Sequence, residues 1–332
     1  MTILVTGAAG FIGYHVAAAL IARGDRVIGI DNMNSYYDPM LKKARIAALQ
    51  AQSGDQFIFR VVDFADREAL ETAIVNYGID RVVHLGAQAG VRYSLENPHA
   101  YVQSNLVGHI NLLEFARHTQ VSHMVYASSS SVYGANAKQP FSVEDRVDHP
   151  LSLYAATKKA DELMSETYAH LYRIPLTGLR FFTVYGPWGR PDMAMWLFAD
   201  AILNNRPIKV FNNGDMRRDF TYIDDIVAGV IASLDSPPID DGRKQAGGSI
   251  APHRIFNIGN SRAEHLGTMI EFIERACGKP AIREMLPIQP GDVPATYADI
   301  QAISAELGYS PTTRIEDGIP RFVDWFKSYH GY

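Results

Sequence analysis

Hydrophobic positions in the first half of the chain alternate between two periods. Short apolar runs at residues 3–5, 26–30, 57–62, 81–85, 123–127 and 176–182 read as strands. Between them, residues 16–22, 40–51, 67–76, 100–117 and 153–172 carry apolar side chains at helical spacing. Strands separated by helices of this length predict parallel βαβ units, and hence an α/β, doubly wound parallel sheet with helices on both faces. After residue 182 the rhythm changes. Pro187, Gly189 and Pro191 punctuate a loop. Helices are expected at 193–203, 225–234, 264–276 and 315–329, and short strands at 208–211 and 220–223. The Pro- and Gly-containing polar stretch 236–252 reads as an exposed loop. The pattern therefore predicts a Rossmann domain over 1–182 and a smaller C-terminal α+β lobe over 183–332. That boundary is soft if the helix near 225–234 packs back on the first domain.

Composition narrows the function classes. The 332 residues are 47% hydrophobic and 20% charged, enough for a sizeable core. A net charge of −5 and the lack of any Lys/Arg run argue against nucleic-acid and anionic-membrane partners. Cys277 is the one cysteine, so no intrachain disulfide forms, and a packed core thiol in a cytoplasmic protein is expected. The chain begins directly as a strand, without a basic leader or an apolar stretch of membrane-spanning length. The eleven histidines show no ligand spacing, so no metal is expected. The pair Asp224–Asp225 reads as a helix start.

Chemistry concentrates at three places. The first strand turns into the first helix through Gly7-Ala8-Ala9-Gly10-Phe11-Ile12-Gly13. Glycines in such a turn let backbone N–H groups approach a pyrophosphate, with the helix N-terminus facing the negative charge. Asp31 ends the second strand, where a carboxylate accepts from the adenosine ribose hydroxyls and repels a 2′-phosphate, favouring NAD over NADP. Asp63, ending the third strand, is a candidate acceptor for the adenine amino group. Phe11, Ile12, Asn32, Phe64, Leu85 and Ala87 complete the expected cofactor contacts. Tyr154 and Lys158 lie four apart on one helical face, where the ammonium stabilises the phenolate and makes Tyr154 a usable general base. Ser128 to Ser131 follow the fifth strand, at the strand ends where ligands bind in such sheets.

Taken together, the glycine turn, the serines followed by Val132-Tyr133-Gly134, and Tyr154-Ala155-Ala156-Thr157-Lys158 resemble the extended short-chain dehydrogenases that act on nucleotide sugars. Within that family the likeness is greatest to members that epimerise UDP-glucuronate at C4. It is carried by DNMNSYYD (31–38), GVRYSLENP (90–98), SLYAATKKA (152–160), LTGLRFFTVYGPWGRPDMA (176–194) and RDFTYIDDI (218–226).

The resemblance implies that Tyr154 is the base, Lys158 its helper and a cofactor-ribose ligand, and Ser129 or Ser131 the assisting hydroxyl. Hydride would pass from C4 to NAD, leaving transient NADH and a 4-keto sugar. The sugar would turn over and take the hydride back on its other face, interconverting UDP-glucuronate and UDP-galacturonate. Related dehydratases and decarboxylases carry acidic residues where this chain has Ser130 and Ser131, which favours epimerisation. A UDP-glucose/UDP-galactose 4-epimerase and a UDP-glucuronate decarboxylase are the alternative readings. For the substrate, Thr183, Arg190 and Arg92 are the candidates to hold the sugar carboxylate, Arg218 a UDP phosphate or ribose, and Asp292 the uridine ribose. Gln289 stands where many relatives carry Arg. The resemblance also implies a homodimer, with the helices at 100–117 and 153–172 as its candidate interface.

Overall fold

The computed structural model describes residues 1–289 and 293–332. Its centre is one sheet of seven parallel strands: β1 (Thr2–Thr6), β2 (Arg26–Asp31), β3 (Phe57–Val61), β4 (Arg81–His84), β5 (His123–Ser129), β6 (Leu176–Phe181) and β7 (His253–Ile258). The spatial order is β7-β6-β5-β4-β1-β2-β3, all pairs parallel. The fold is the doubly wound sheet expected from the alternating pattern. Its strands read as near-continuous apolar runs because helices cover both faces. Successive residues of β1 feed opposite layers: Ile3 and Val5 join the cluster under helix Phe11–Ala22, while Leu4 joins Ile28, Ile30, Leu70 and Leu112 on the other face. The strand order reverses between β1 and β4, which opens a crevice at their C-terminal ends.

The second half is smaller and irregular. Thr183–Tyr185 pairs with Phe220–Tyr222, Ile208–Val210 with Arg283–Met285, and Arg217–Arg218 with Glu264–His265. Helices Ala194–Leu203, Leu266–Cys277 and Ile315–His330 pack together beside these ribbons. The last helix buries Ile315, Ile319, Phe322, Val323 and Phe326, one stripe at helical spacing. Each such side chain contributes roughly 1.5–3 kcal/mol on burial. Cys277 is buried in this core, where burial pushes its thiol up to about 11 and keeps it protonated.

Three features depart from the sequence pattern. The strand β7 has no apolar run in the sequence, because His253, Arg254 and Asn257 interrupt it. Each of these polar side chains is satisfied by groups far away in sequence. His253 bonds Tyr126 and Glu166, and Arg254 bonds Thr177 and Glu306. Asn257 accepts from Tyr133 Oη and donates to the carbonyls of Phe141 and Asp299. The helix expected at 100–117 is instead Pro98–Tyr101, a π-helical turn over Val102–Val107, and Gly108–Thr119. In that turn the buried Asn105 side chain bonds both backbone groups of Gln88 and also Thr157 Oγ1. Finally, Asp225 does more than start helix Ile223–Asp235: its carboxylate accepts from the amides of Thr312 and Thr313. That helix lies against helix Phe11–Ala22, so the chain beyond residue 182 supplies both an edge strand and a covering helix to the main sheet. No helix among the described residues is long and apolar enough to cross a membrane.

Several histidines are buried and held neutral. Burial pushes His15 down to about 4 and His109 and His123 down to about 3, with His84 also well below its ordinary 6.5. Below pH 6.5 the unfolded chain binds protons that the folded chain refuses, so stability present above that pH is lost as pH falls toward 3. Asp161 and Asp219, pushed up to about 6 by burial, act in the opposite sense between 3.8 and 6, but they are fewer. The urea midpoint is therefore expected to fall between pH 7 and pH 5; a flat or rising profile would contradict the assignment of neutral buried imidazoles.

Candidate active site

One cleft of about 450 Å³ runs across the strand C-termini at the reversal point. Its floor is the glycine turn. Gly7 has φ +68°, and a Cβ there would stand 2.8 Å from Gly86 Cα at the end of β4. A Cβ on Gly13 would come within 2.1 Å of the Gly7 carbonyl oxygen. Only bare backbone fits, and the helix that begins at Phe11 opens on Gly10 with no side-chain cap. Its first N–H groups are left for an anion in the cleft. Phe11, Ile12, Phe64, Leu85 and Ala87 line the cleft around this turn.

At one end of the cleft, Asp31 closes β2. Its carboxylate accepts from the Met33 amide at 2.8 Å and faces Lys42 Nζ at 3.6 Å. Asn32 lines the cleft and also donates to Asp63 at 3.2 Å. Asp63 itself does not line the cleft; its second oxygen accepts from the Ala65 amide.

The centre of the cleft is set by helix Leu153–Tyr172, which starts at a Ser152 cap accepting from the Ala155 amide. Tyr154 and Lys158 project into the cleft from the first turns. Opposite them, Ser129 ends β5 and donates to Ser131 Oγ at 3.1 Å while accepting from the Ser131 amide. Both serines line the cleft. Ser128 and Ser130 also line the cleft, but the Ser128 hydroxyl is committed to Glu162, to which it donates at 2.7 Å. Glu162 in turn holds Arg180 of β6 through two bonds of 2.8 and 3.0 Å, and Arg180 also donates to Tyr133 Oη. Burial opposes charge on both partners, yet the pairing wins, holding the Glu162 carboxyl below its ordinary value and raising Arg180.

At the far end stand Thr183, Arg190 and Arg218. Arg190 grips Asp192 through Nε and Nη2 at 3.0 and 2.6 Å, and Tyr36 Oη donates to the same carboxylate at 3.1 Å. Burial opposes the Arg190 charge, but Asp192 raises it overall; burial and Asp192 push the Tyr36 phenol up to about 12. The Nη1 edge of Arg190 has no hydrogen-bond partner among the described residues. Arg218 donates to the carbonyls of Arg217 and Pro294. Arg92 is exposed, sits over the Phe211 ring at 5.0 Å, and does not line the cleft, although its neighbours Gly90 and Val91 do. Asp292 lies outside the described residues.

Sequence reasoning missed Asn34, Tyr36, Lys42, Gln88, Phe141 and Met193, all of which line the cleft. Asn34 and Tyr36 lie inside the DNMNSYYD segment already singled out, so proximity to Asp31 was the available signal. Phe141 reaches the cleft through a loop whose position no local pattern encodes. Asp31 is the only carboxylate lining the cleft among the described residues.

Residues 3–259 match the model of the NAD dependent epimerase/dehydratase family. The chain is 49% identical over 332 residues to a probable UDP-glucuronate 4-epimerase of Rhizobium meliloti, covering 98% of this chain and 97% of that protein. It is 48% identical to UDP-glucuronate 4-epimerase 1 of Arabidopsis thaliana, covering 100% of this chain and 78% of that protein. Among solved structures, a UDP-glucuronic acid 4-epimerase from Bacillus cereus, crystallised with UDP-glucuronic acid and NAD, superposes with a TM-score of 0.87. That pair is 35% identical, covering 99% of this chain and 100% of that one.

The glycine turn gives a direct test. Gly13→Ala forces its methyl into the Gly7 carbonyl, so a loss of about 1–3 kcal/mol in urea unfolding is expected, as for other overpacked sites. Any dinucleotide carried through purification should be lost with it. A variant of unchanged stability that still released dinucleotide on denaturation would contradict the packing argument.

Proposed function

The chain belongs to the NAD dependent epimerase/dehydratase family, and we infer that it is an NAD-dependent 4-epimerase interconverting UDP-glucuronate and UDP-galacturonate. The observation that carries this reading is the shared cleft: a bare-glycine anion cradle, a Tyr–Lys pair, a serine pair and an arginine fork line one continuous surface. The cradle fits a dinucleotide, because the space a Cβ would fill is closed by backbone alone, and Asp31, at the end of the adjacent strand, lines the same cleft. Bound NAD supplies the acceptor, and then the donor, of the hydride at C4.

The remaining work falls to the chain. Lys158 stands one helical turn from Tyr154 on the same face, and the phenolate takes the proton of the sugar 4-hydroxyl and returns it to the same oxygen after hydride has come back to the other face of C4. Ser129 and Ser131, already bonded to each other, hold that oxygen from the other side. The free Nη1 edge of Arg190 suits the C5 carboxylate, with Thr183 beside it. Holding this group matters, because a 4-keto acid readily loses carbon dioxide. Ser130 and Ser131 offer no carboxyl acid to assist elimination or decarboxylation, and no carboxylate lines this part of the cleft among the described residues. Arg218 serves the UDP phosphates or ribose. In this division of labour residues 1–182 hold the cofactor and 183–332 the UDP-sugar.

We read the assembly as a homodimer. Val102, Leu163 and Leu171 on the outward faces of the two candidate helices are 41%, 56% and 60% exposed, apolar surface that a second copy would cover.

Three outcomes are expected. Incubation with UDP-glucuronate should yield UDP-galacturonate by proton NMR without net carbon dioxide release; conversion of neutral UDP-hexoses alone would defeat the substrate assignment. Tyr154→Phe should lower kcat by roughly 10²–10⁴-fold while leaving the dinucleotide bound, and unaltered turnover would remove Tyr154 from the reaction. Leu163→Asp combined with Leu171→Asp should give a monomer by light scattering, against a dimer for the parent chain.

A further inference from the structure

Lys158 carries an interaction that the reaction does not require. One turn further along its helix, Asp161 Oδ2 lies 2.8 Å from Lys158 Nζ, and the two side chains are 3% and 0% exposed. The other oxygen, Asp161 Oδ1, is buried without a hydrogen-bond partner. A carboxylate with one bare oxygen in the interior is costly. The other oxygen offsets part of that cost by pairing with a lysine that is itself buried.

The surroundings leave these two charges to each other. Against them stand His84 of β4 and His109 of helix Gly108–Thr119, both held neutral by burial. Tyr126 of β5 and His253 of β7 are bonded to one another at 2.8 Å. Arg180 of β6 is committed to Glu162, which also takes Lys159 from the same helix. Tyr101 of Pro98–Tyr101 gives its hydroxyl to the Ala89 and Gly90 carbonyls and meets Tyr154 only ring to ring, at 6.0 Å. Asp161 is thus the one ion-pair partner of Lys158 among the described residues.

We propose that Asp161 is a positioning residue: as the buried counter-ion of Lys158 it fixes where the ammonium stands and limits how strongly that ammonium acidifies Tyr154. The inference rests on the reading of Tyr154 as the base. A negative charge two helical turns from the phenol opposes the positive charge one turn away. The ammonium keeps two N–H groups for other partners while the third is spent on the carboxylate. The arrangement places the phenol's acidity under joint control of an attracting and a repelling charge. It also explains why a carboxylate is tolerated at a fully buried position, where burial pushes it up to about 6.

The test compares the holoenzyme with Asp161→Asn, which preserves shape and removes the charge. Two readouts are followed across pH 5 to 9: the acid limb of kcat with UDP-glucuronate, and the tyrosinate absorbance near 295 nm taken as a difference against Tyr154→Phe. Both midpoints are expected to move down by about one pH unit in Asp161→Asn. Midpoints that stay in place or move up would reduce Asp161 to a structural ion pair and overturn the proposal. Should the amide variant fail to fold, Asp161→Ser removes the same charge in less space and answers the same question. If Tyr154→Phe itself turns over normally, the reading of the base has failed instead, so the two failures are told apart.

Discussion

The geometry of the cleft depends on one buried ion pair, the fork of Arg180 on Glu162. Arg180 belongs to β6 and Glu162 to the helix that carries Tyr154 and Lys158. Because both are essentially excluded from water, neither charge tolerates losing its partner, and removal of one partner of such a pair typically costs about 3–5 kcal/mol. The pair is also bonded to Ser128 and Tyr133. It therefore locks the helix, the end of β5 and the following turn into one register. A rotation of the helix by one residue would take Glu162 away from both Arg180 and Ser128 and move Tyr154 out of its place in the cleft. The price of burying the charges is offset by specificity of position.

The other half of the cleft is held by an absence of side chains. Gly7 and Gly13 let the turn after β1 lie directly on the end of β4, where Gly86 answers with its own bare backbone. Arg45, fully buried, then ties this turn to the loop that carries Arg190: it donates to the Ala9 carbonyl on one side and to the Trp188 and Gly189 carbonyls on the other. The glycine turn and the Arg190 loop are thus parts of one hydrogen-bonded frame. In the proposed reaction the Tyr154 helix supplies the chemistry between them.

Local pattern was informative where a residue's role depends on its neighbours in sequence. The strands β1 to β6 and the long helices follow from periodicity, since each buries a face written into a few consecutive residues. The glycine turn, Asp31, the serine run and the Tyr154–Lys158 spacing were legible for the same reason. Arg92 and Asp63 show the limit. Both belong to segments at the cleft edge, but each side chain also answers to a partner elsewhere in the chain, Phe211 for one and Asn32 for the other.

Sequence alone determined the fold class, the glycine turn and the shared helical face of Tyr154 and Lys158, because those are encoded within single strand–turn–helix units. Tertiary structure decided what long-range pairing decides. It added β7 to the sheet, since His253, Arg254 and Asn257 become acceptable in a buried strand only when Glu166, Thr177 and Phe141 arrive to satisfy them. It brought Tyr36 to the Arg190–Asp192 pair, and it buried Lys158 and Asp161, neighbours one turn apart on a helix. Spacing shows which charges are neighbours along a segment; only the folded chain shows which of them are shut away from water and what else reaches them.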